Sequence, residues 1–122
     1  MKILNQETLF LFAPLLKNQV QLYCSPTSFA ITYFFLNKTL KDGEKLNKKA
    51  IKLFSGFTFT RENHVIMDKV IKSGFGDLED ALQYYSAEDC GINIIITKNF
   101  FDFKNSKIPV YHPLQYINEF LI

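Results

Sequence analysis

Five acids fall between Gly74 and Gly91: Asp77, Glu79, Asp80, Glu88 and Asp89. The first of them crowd into GDLED, where a helical pattern begins. Carboxylates at such spacing can do two kinds of work. One acid can cap the helix by accepting from its exposed N–H groups. Several together can hold a hard cation through oxygen. Asp77 stands at the N-cap position with Asp80 three residues on, which mimics a capping box and complements the helix dipole. Capping needs one acid and contributes about 1 kcal/mol. Two carboxylates about 4 Å apart repel by roughly 4 kcal/mol at an effective dielectric of about 20, so a true cluster requires a cation.

Spacing i, i+3 puts Asp77 and Asp80 on one helix face. Asp102 follows the apolar run INIIITKN. In a parallel sheet, helix starts and post-strand loops meet at the carboxyl edge, so Asp80 and Asp102 can converge there. Oxygen ligands without neighbouring His or Cys suit Mg²⁺ or Mn²⁺. Thr97 and Asn99, at the same strand end, could bond a carboxylate, a metal-bound water or a phosphate, or they could cap the loop. Glu79 points away from Asp80 and reads as a solvated charge. Tyr84 and Tyr85 could stack on bases, although an amphipathic helix usually buries at least one of such a pair.

Other chemistries find little support. Cys24 and Cys90 lie far apart, and the chain's two histidines, His64 and His112, complete no zinc-ligand spacing. Both thiols read as small apolar residues, which implies a reducing, cytoplasmic setting. Asn5, Gln6 and Glu7 interrupt the N-terminus, so no signal peptide is evident, and no apolar stretch reaches the length of a membrane span. The formal charge of +2 is too small to diagnose a nucleic-acid binder.

The elements that must position these residues alternate along the 122-residue chain, which reads as one domain, 1–122, with a single core. The first segment, LNQETLFLFAPLLKNQ, has helical spacing interrupted by Pro14. VQLYCS reads as a strand, and SFAITYFFLNK as a helix apolar nearly all round, hence buried, capped by Ser25 or Thr27. KTLKDGEK is a polar turn, after which Lys45, Lys48, Lys49 and Lys52 share one helix face, a solvated surface more readily than an RNA track. FTFT is a brief strand, and Thr60 is expected to cap a helix over 61–73 closed by Gly74. The acidic helix then spans 77–90, closed by Gly91. INIIITKN is a strand buried on both faces, FFDFKNSK a loop, IPVY a strand and HPLQYINEFLI a helix opened by Pro113. The alternation predicts an α/β layer structure on a mostly parallel sheet.

The run from Gly74 onward resembles the C-terminal half of PIN-domain proteins, in particular the bacterial VapC-like group. The matching motifs are DLEDALQ at 77–83, the T-x-N-x-x-DF pattern formed by Thr97, Asn99, Asp102 and Phe103, and the I-P-V strand at 108–110. The upstream half, LYCSPTSFAITYFFLNK, matches more loosely. The resemblance implies a PIN-like three-layer domain and a Mg²⁺-dependent endoribonuclease, toxin of a toxin–antitoxin pair, with RNA and an antitoxin as partners, a homo-oligomeric state and no membrane. It assigns Asp80 and Asp102 as metal ligands and Asp77 as an accessory acid, beside which Thr97 and Asn99 are read as supporting residues. The family's first acid ends an N-terminal strand. The chain reads as N-terminally incomplete, beginning after that strand; with Met1 to Leu4 taken as the strand instead, Gln6 would fall in the acid's place. The family's second acid falls near Ile31, which cannot bind metal. The implied site is therefore half a quartet, with weak or absent metal binding. The alternative is an inactive PIN-like domain acting through protein or RNA contacts. The first family strand lies mid-sheet, so its loss would leave a slot for the N-terminal segment or a partner chain to cover.

Overall fold

The structure, a computed structural model, describes residues 2–5, 21–39, 48, 52 and 55–120. In chain order these form β1 (Lys2–Asn5), β2 (Gln21–Cys24), α1 (Pro26–Thr39), β3 (Thr58–Phe59), α2 (His64–Ile71) and α3 (Leu78–Asp89). Then follow β4 (Ile94–Ile96), a 3-10 turn (Phe100–Phe103), β5 (Val110–Tyr111) and α4 (Pro113–Phe120). The expected helix over the first segment and the KTLKDGEK turn lie outside the described residues. Lys48 and Lys52 are helical and exposed, as a solvated face requires.

The described strands make one five-stranded sheet in the order β3-β2-β1-β4-β5. Every pairing among them is parallel. The parallel α/β reading therefore holds. The missing first strand does not: Lys2–Asn5 fill the central slot as an ordinary parallel strand, with Leu4 level with Tyr23 on one side and Ile95 on the other. The chain's own first residues cover the slot that the sequence reading leaves open. The physical reason is pairing, since β2 and β4 each need a main-chain partner on that side and KILN can supply both ladders.

Alternate residues of the strands enter different layers, as the two-residue period of a strand demands. Leu22, Ile94 and Ile96 pack with Tyr116 of α4. Tyr23 and Ile95 pack on the other face with Tyr84 and Ala87 of α3 and with Phe103. The helix α2 packs on α3, with Ile66 and Val70 against Ala81 and Leu82. The result is the expected three-layer arrangement.

Local expectations fail at two helices. The N-cap of α2 is Asn63, whose side chain accepts from the Ile66 N–H at 3.0 Å, and the helix stops at Ile71 without using Gly74 as a left-handed cap. Thr60 instead extends the β3 pairing, its N–H donating to the Cys24 carbonyl at 3.0 Å. A residue still bonded to a strand cannot start a helix one position later. In α1, Phe34 and Ala30 face solvent, so its apolar composition does not bury it on all sides.

Candidate nucleic-acid site at the carboxyl edge of the sheet

All five described strands point the same way, so Asn5, Cys24, Phe59, Ile96 and Tyr111 end at one edge. The helix α3 leads back into β4 and so begins at that edge, while the 3-10 turn leaves it. This places Asp77, Asp80, Thr97, Asn99 and Asp102 along one margin of the molecule.

Asp77 is the N-cap of α3 and accepts from the Asp80 N–H at 2.9 Å. It is exposed, and its capping role is the one the spacing predicts. Asp80, by contrast, is 1% exposed, a carboxyl group drawn into the interior at the first turn of the helix. Glu79 is half-buried rather than solvated. Asp102 is exposed on the 3-10 turn, its N–H donating to the Asn99 carbonyl at 3.0 Å. Thr97 is fully buried; its N–H donates to the Tyr111 carbonyl and its hydroxyl oxygen accepts from the Asn99 N–H, both at 3.0 Å. Thr97 thus shapes the loop. The exposed Asn99 makes no cap bond with its side chain.

The oxygen-only donors suit Mg²⁺ or Mn²⁺ in kind. They fall short in number: among the described residues no three His, Cys, Asp or Glu side chains stand together as an ion site. The residue ending the central strand is Asn5, level with Ile96 and bearing an amide, while Gln6 lies outside the described residues. Ile31 is a half-buried apolar residue of α1. The described residues alone do not complete a resident metal site.

Tyr84 is core, as expected for one of the tyrosine pair. Its hydroxyl donates to Glu88 Oε2 and accepts from the Lys107 N–H, both at 3.2 Å. Burial pushes that hydroxyl above its usual range; the Lys107 N–H pulls the other way and the Glu88 charge adds to the rise. Tyr85 is half-exposed and reaches a groove of about 700 Å³ that Asp102 also lines.

Sequence reasoning missed two residues at this edge. Glu62 accepts from both the N–H and the hydroxyl of Thr27, closing the first turn of α1 from 35 residues away. Together with burial, its charge helps push the Cys24 thiol up to about 12. Gln83 is fully buried on α3, and its side-chain oxygen and nitrogen make no hydrogen bond. No local signal announces Glu62, because nothing near SPTS in sequence marks its partner. Gln83 could have been found as a polar residue in the helical stripe of Asp80, Tyr84 and Ala87.

Among the described residues no helix is long and apolar enough to cross a membrane. No protein-family model matches the chain, and no curated protein matches it by sequence. Solved structures do match in three dimensions. VapBC2 from Rickettsia felis, bound to a DNA fragment from their promoter, aligns with TM-score 0.68 at 14% identity, covering 92% of this chain and 98% of that one. VapBC-1 from nontypeable Haemophilus influenzae aligns with TM-score 0.62 at 16% identity over 91% and 96% of the two chains. PAE2754 from Pyrobaculum aerophilum aligns with TM-score 0.61 at 14% identity over 89% and 81%. At such identities the likeness is one of fold, and that fold is the VapC-like PIN domain.

Proposed function

We propose that this chain is a PIN-domain protein of the endoribonuclease toxin lineage whose metal site is reduced to Asp80 and Asp102. The observation that carries this reading is the buried carboxyl of Asp80 at the start of α3, on the carboxyl edge of a parallel sheet. A carboxyl at that edge can serve as an oxygen ligand to a hard cation, and the helix needs only Asp77 for its cap. A divalent ion held there, Mg²⁺ or Mn²⁺, would supply water activation for phosphodiester hydrolysis; two carboxylates would hold it weakly. Asp77 keeps the turn in place, and Thr97 and Asn99 set the loop that presents Asp102.

RNA is the proposed substrate. Two of the matched structures are VapBC pairs, one of them on promoter DNA. By that analogy a protein antitoxin and a homo-oligomeric state are the proposed partners, in a cytoplasmic setting.

The test is RNA cleavage with Mg²⁺ or Mn²⁺, comparing the chain with Asp80→Asn. Slow, Mn²⁺-stimulated cleavage that falls to background in Asp80→Asn is expected. Equal background in both proteins would defeat the nuclease reading. A second reading, an inactive domain that binds RNA or protein without cutting, is favoured by the amide of Asn5 and the apolar Ile31. RNA retention without cleavage would support it.

A further inference from the structure

The groove beside Asp102 carries charges that the proposed reading leaves unused. Its volume, about 700 Å³, is that of a small-molecule site. The floor is aromatic: Phe75 lies 5.4 Å from Tyr84 and 6.0 Å edge-on from Tyr85, centroid to centroid. Phe101 stands on the rim, 86% exposed. Glu88, Lys104 and Lys107 also line it. Among the described residues the ion pairs are Arg61–Asp89 and Lys72–Asp68, so no such pair joins the groove's acids to its lysines.

Such a lining discriminates among ligands. A plain phosphate track would not place carboxylates among its lysines, and an arginine or lysine side chain would not be drawn to two ammonium groups. A ligand with an anionic end, a flat ring and N–H donors satisfies all three features. Glu88 narrows the choice further. The Tyr84 hydroxyl bonds its Oε2 and so fixes the carboxylate, which retains lone pairs on both oxygens. A carboxylate with both oxygens available pairs best with two adjacent, parallel N–H donors. Guanine alone of the four RNA bases offers that pair, at N1 and the 2-amino group.

We propose that the groove between α3 and the 3-10 turn is a guanine-nucleotide subsite. The Glu88 carboxylate accepts from N1–H and the 2-amino group, Tyr85 and Phe101 supply stacking surface, and Lys104 and Lys107 take the phosphate. The inference deepens the RNA reading by naming the base that is read. It does not depend on cleavage or on a metal.

The experiment is metal-free titration of the chain with GMP, IMP, AMP and UMP, followed by NMR of the protein and the ligand. GMP should bind at least about fivefold more tightly than AMP or UMP, with IMP between, because it keeps N1–H and lacks the amine. Glu88→Gln should abolish the preference for GMP over AMP; Glu88 is exposed, so an unchanged amide spectrum will show that the variant folds. Lys104→Ala with Lys107→Ala should weaken GMP and leave guanosine unchanged. Absence of GMP binding at millimolar concentration would overturn the proposal. So would equal binding of all four nucleotides that Glu88→Gln leaves unaltered, or capture of N-acetylarginine amide in place of GMP. Because cleavage is not measured, an inactive enzyme and an empty groove give different results.

Discussion

Cys24 ends β2 with its thiol donating to the Ser25 carbonyl at 3.4 Å and only 3% exposed. Burial first, and the Glu62 charge second, raise its pKa from 9.0 to about 12. The unfolded chain releases this proton more readily than the folded one. The thiol's contribution to stability is therefore full below about pH 9 and is lost as pH climbs toward 12. Cys24→Ala should show a smaller fall in Tm than the unaltered chain between about pH 9 and about pH 11. In the same vein, iodoacetamide at about pH 8.5 should alkylate the half-buried Cys90 and spare Cys24 until denaturant is added; equal labelling of both would refute the buried placement. At this scale, legibility depends on distance along the chain. The bond between Asp77 and the Asp80 N–H spans three residues and is written in GDLED. The clamp of Glu62 on Thr27 spans 35 and leaves no local mark.

The helix ends show what that clamp does. Pro26 opens α1 without an N–H to satisfy, Glu62 takes the N–H of Thr27, and Ser25 Oγ takes that of Ser28 at 3.0 Å. The Phe29 N–H then closes on the Ser25 carbonyl at 3.0 Å. Glu62→Ala leaves the Thr27 N–H orphaned and should cost about 1–2 kcal/mol. Glu62→Gln keeps one acceptor and should cost less, and thermal melts of the two variants separate the cases. At the other end of α3, Gly91 sits at φ +66°. Its N–H donates to the Glu88 carbonyl, and that of Ile92 to the Ala87 carbonyl, a Schellman closure. A Cβ meets no neighbour there, so Gly91→Ala should cost only the left-handed strain, about 1 kcal/mol, visible as a lower Tm. An unchanged Tm would contradict the positive φ. The sequence announces this closure because CGI follows the helical pattern directly. It misplaces the start of α2 because Thr60 and Asn63 are both good caps, and the bond from Thr60 to Cys24 that decides between them joins separate strands.

At the scale of the molecule, the parallel sheet was legible from alternating helices and apolar strands, whereas its central strand was not. KILN is four residues long and carries a Lys and an Asn, too little pattern to read as a strand buried between two others. Only pairing with both β2 and β4 fixes it. That position has a chemical consequence, because the strand delivers Asn5 to the carboxyl edge beside Ile96, next to the buried Thr97. An acid at Asn5 would add a third carboxylate to the edge that carries Asp80 and Asp102. Without an ion, like charges at that edge repel, by roughly 4 kcal/mol for a pair about 4 Å apart at an effective dielectric of about 20. With an ion, the same charges become ligands. Asn5→Asp should therefore lower Tm in chelator, raise it in millimolar Mn²⁺, and bind Mn²⁺ more tightly than the unaltered chain by calorimetry. A variant whose Tm ignores Mn²⁺ would show that Asn5 and Asp80 do not share a site, and the reduced metal centre proposed for this fold would then have no place on the sheet edge.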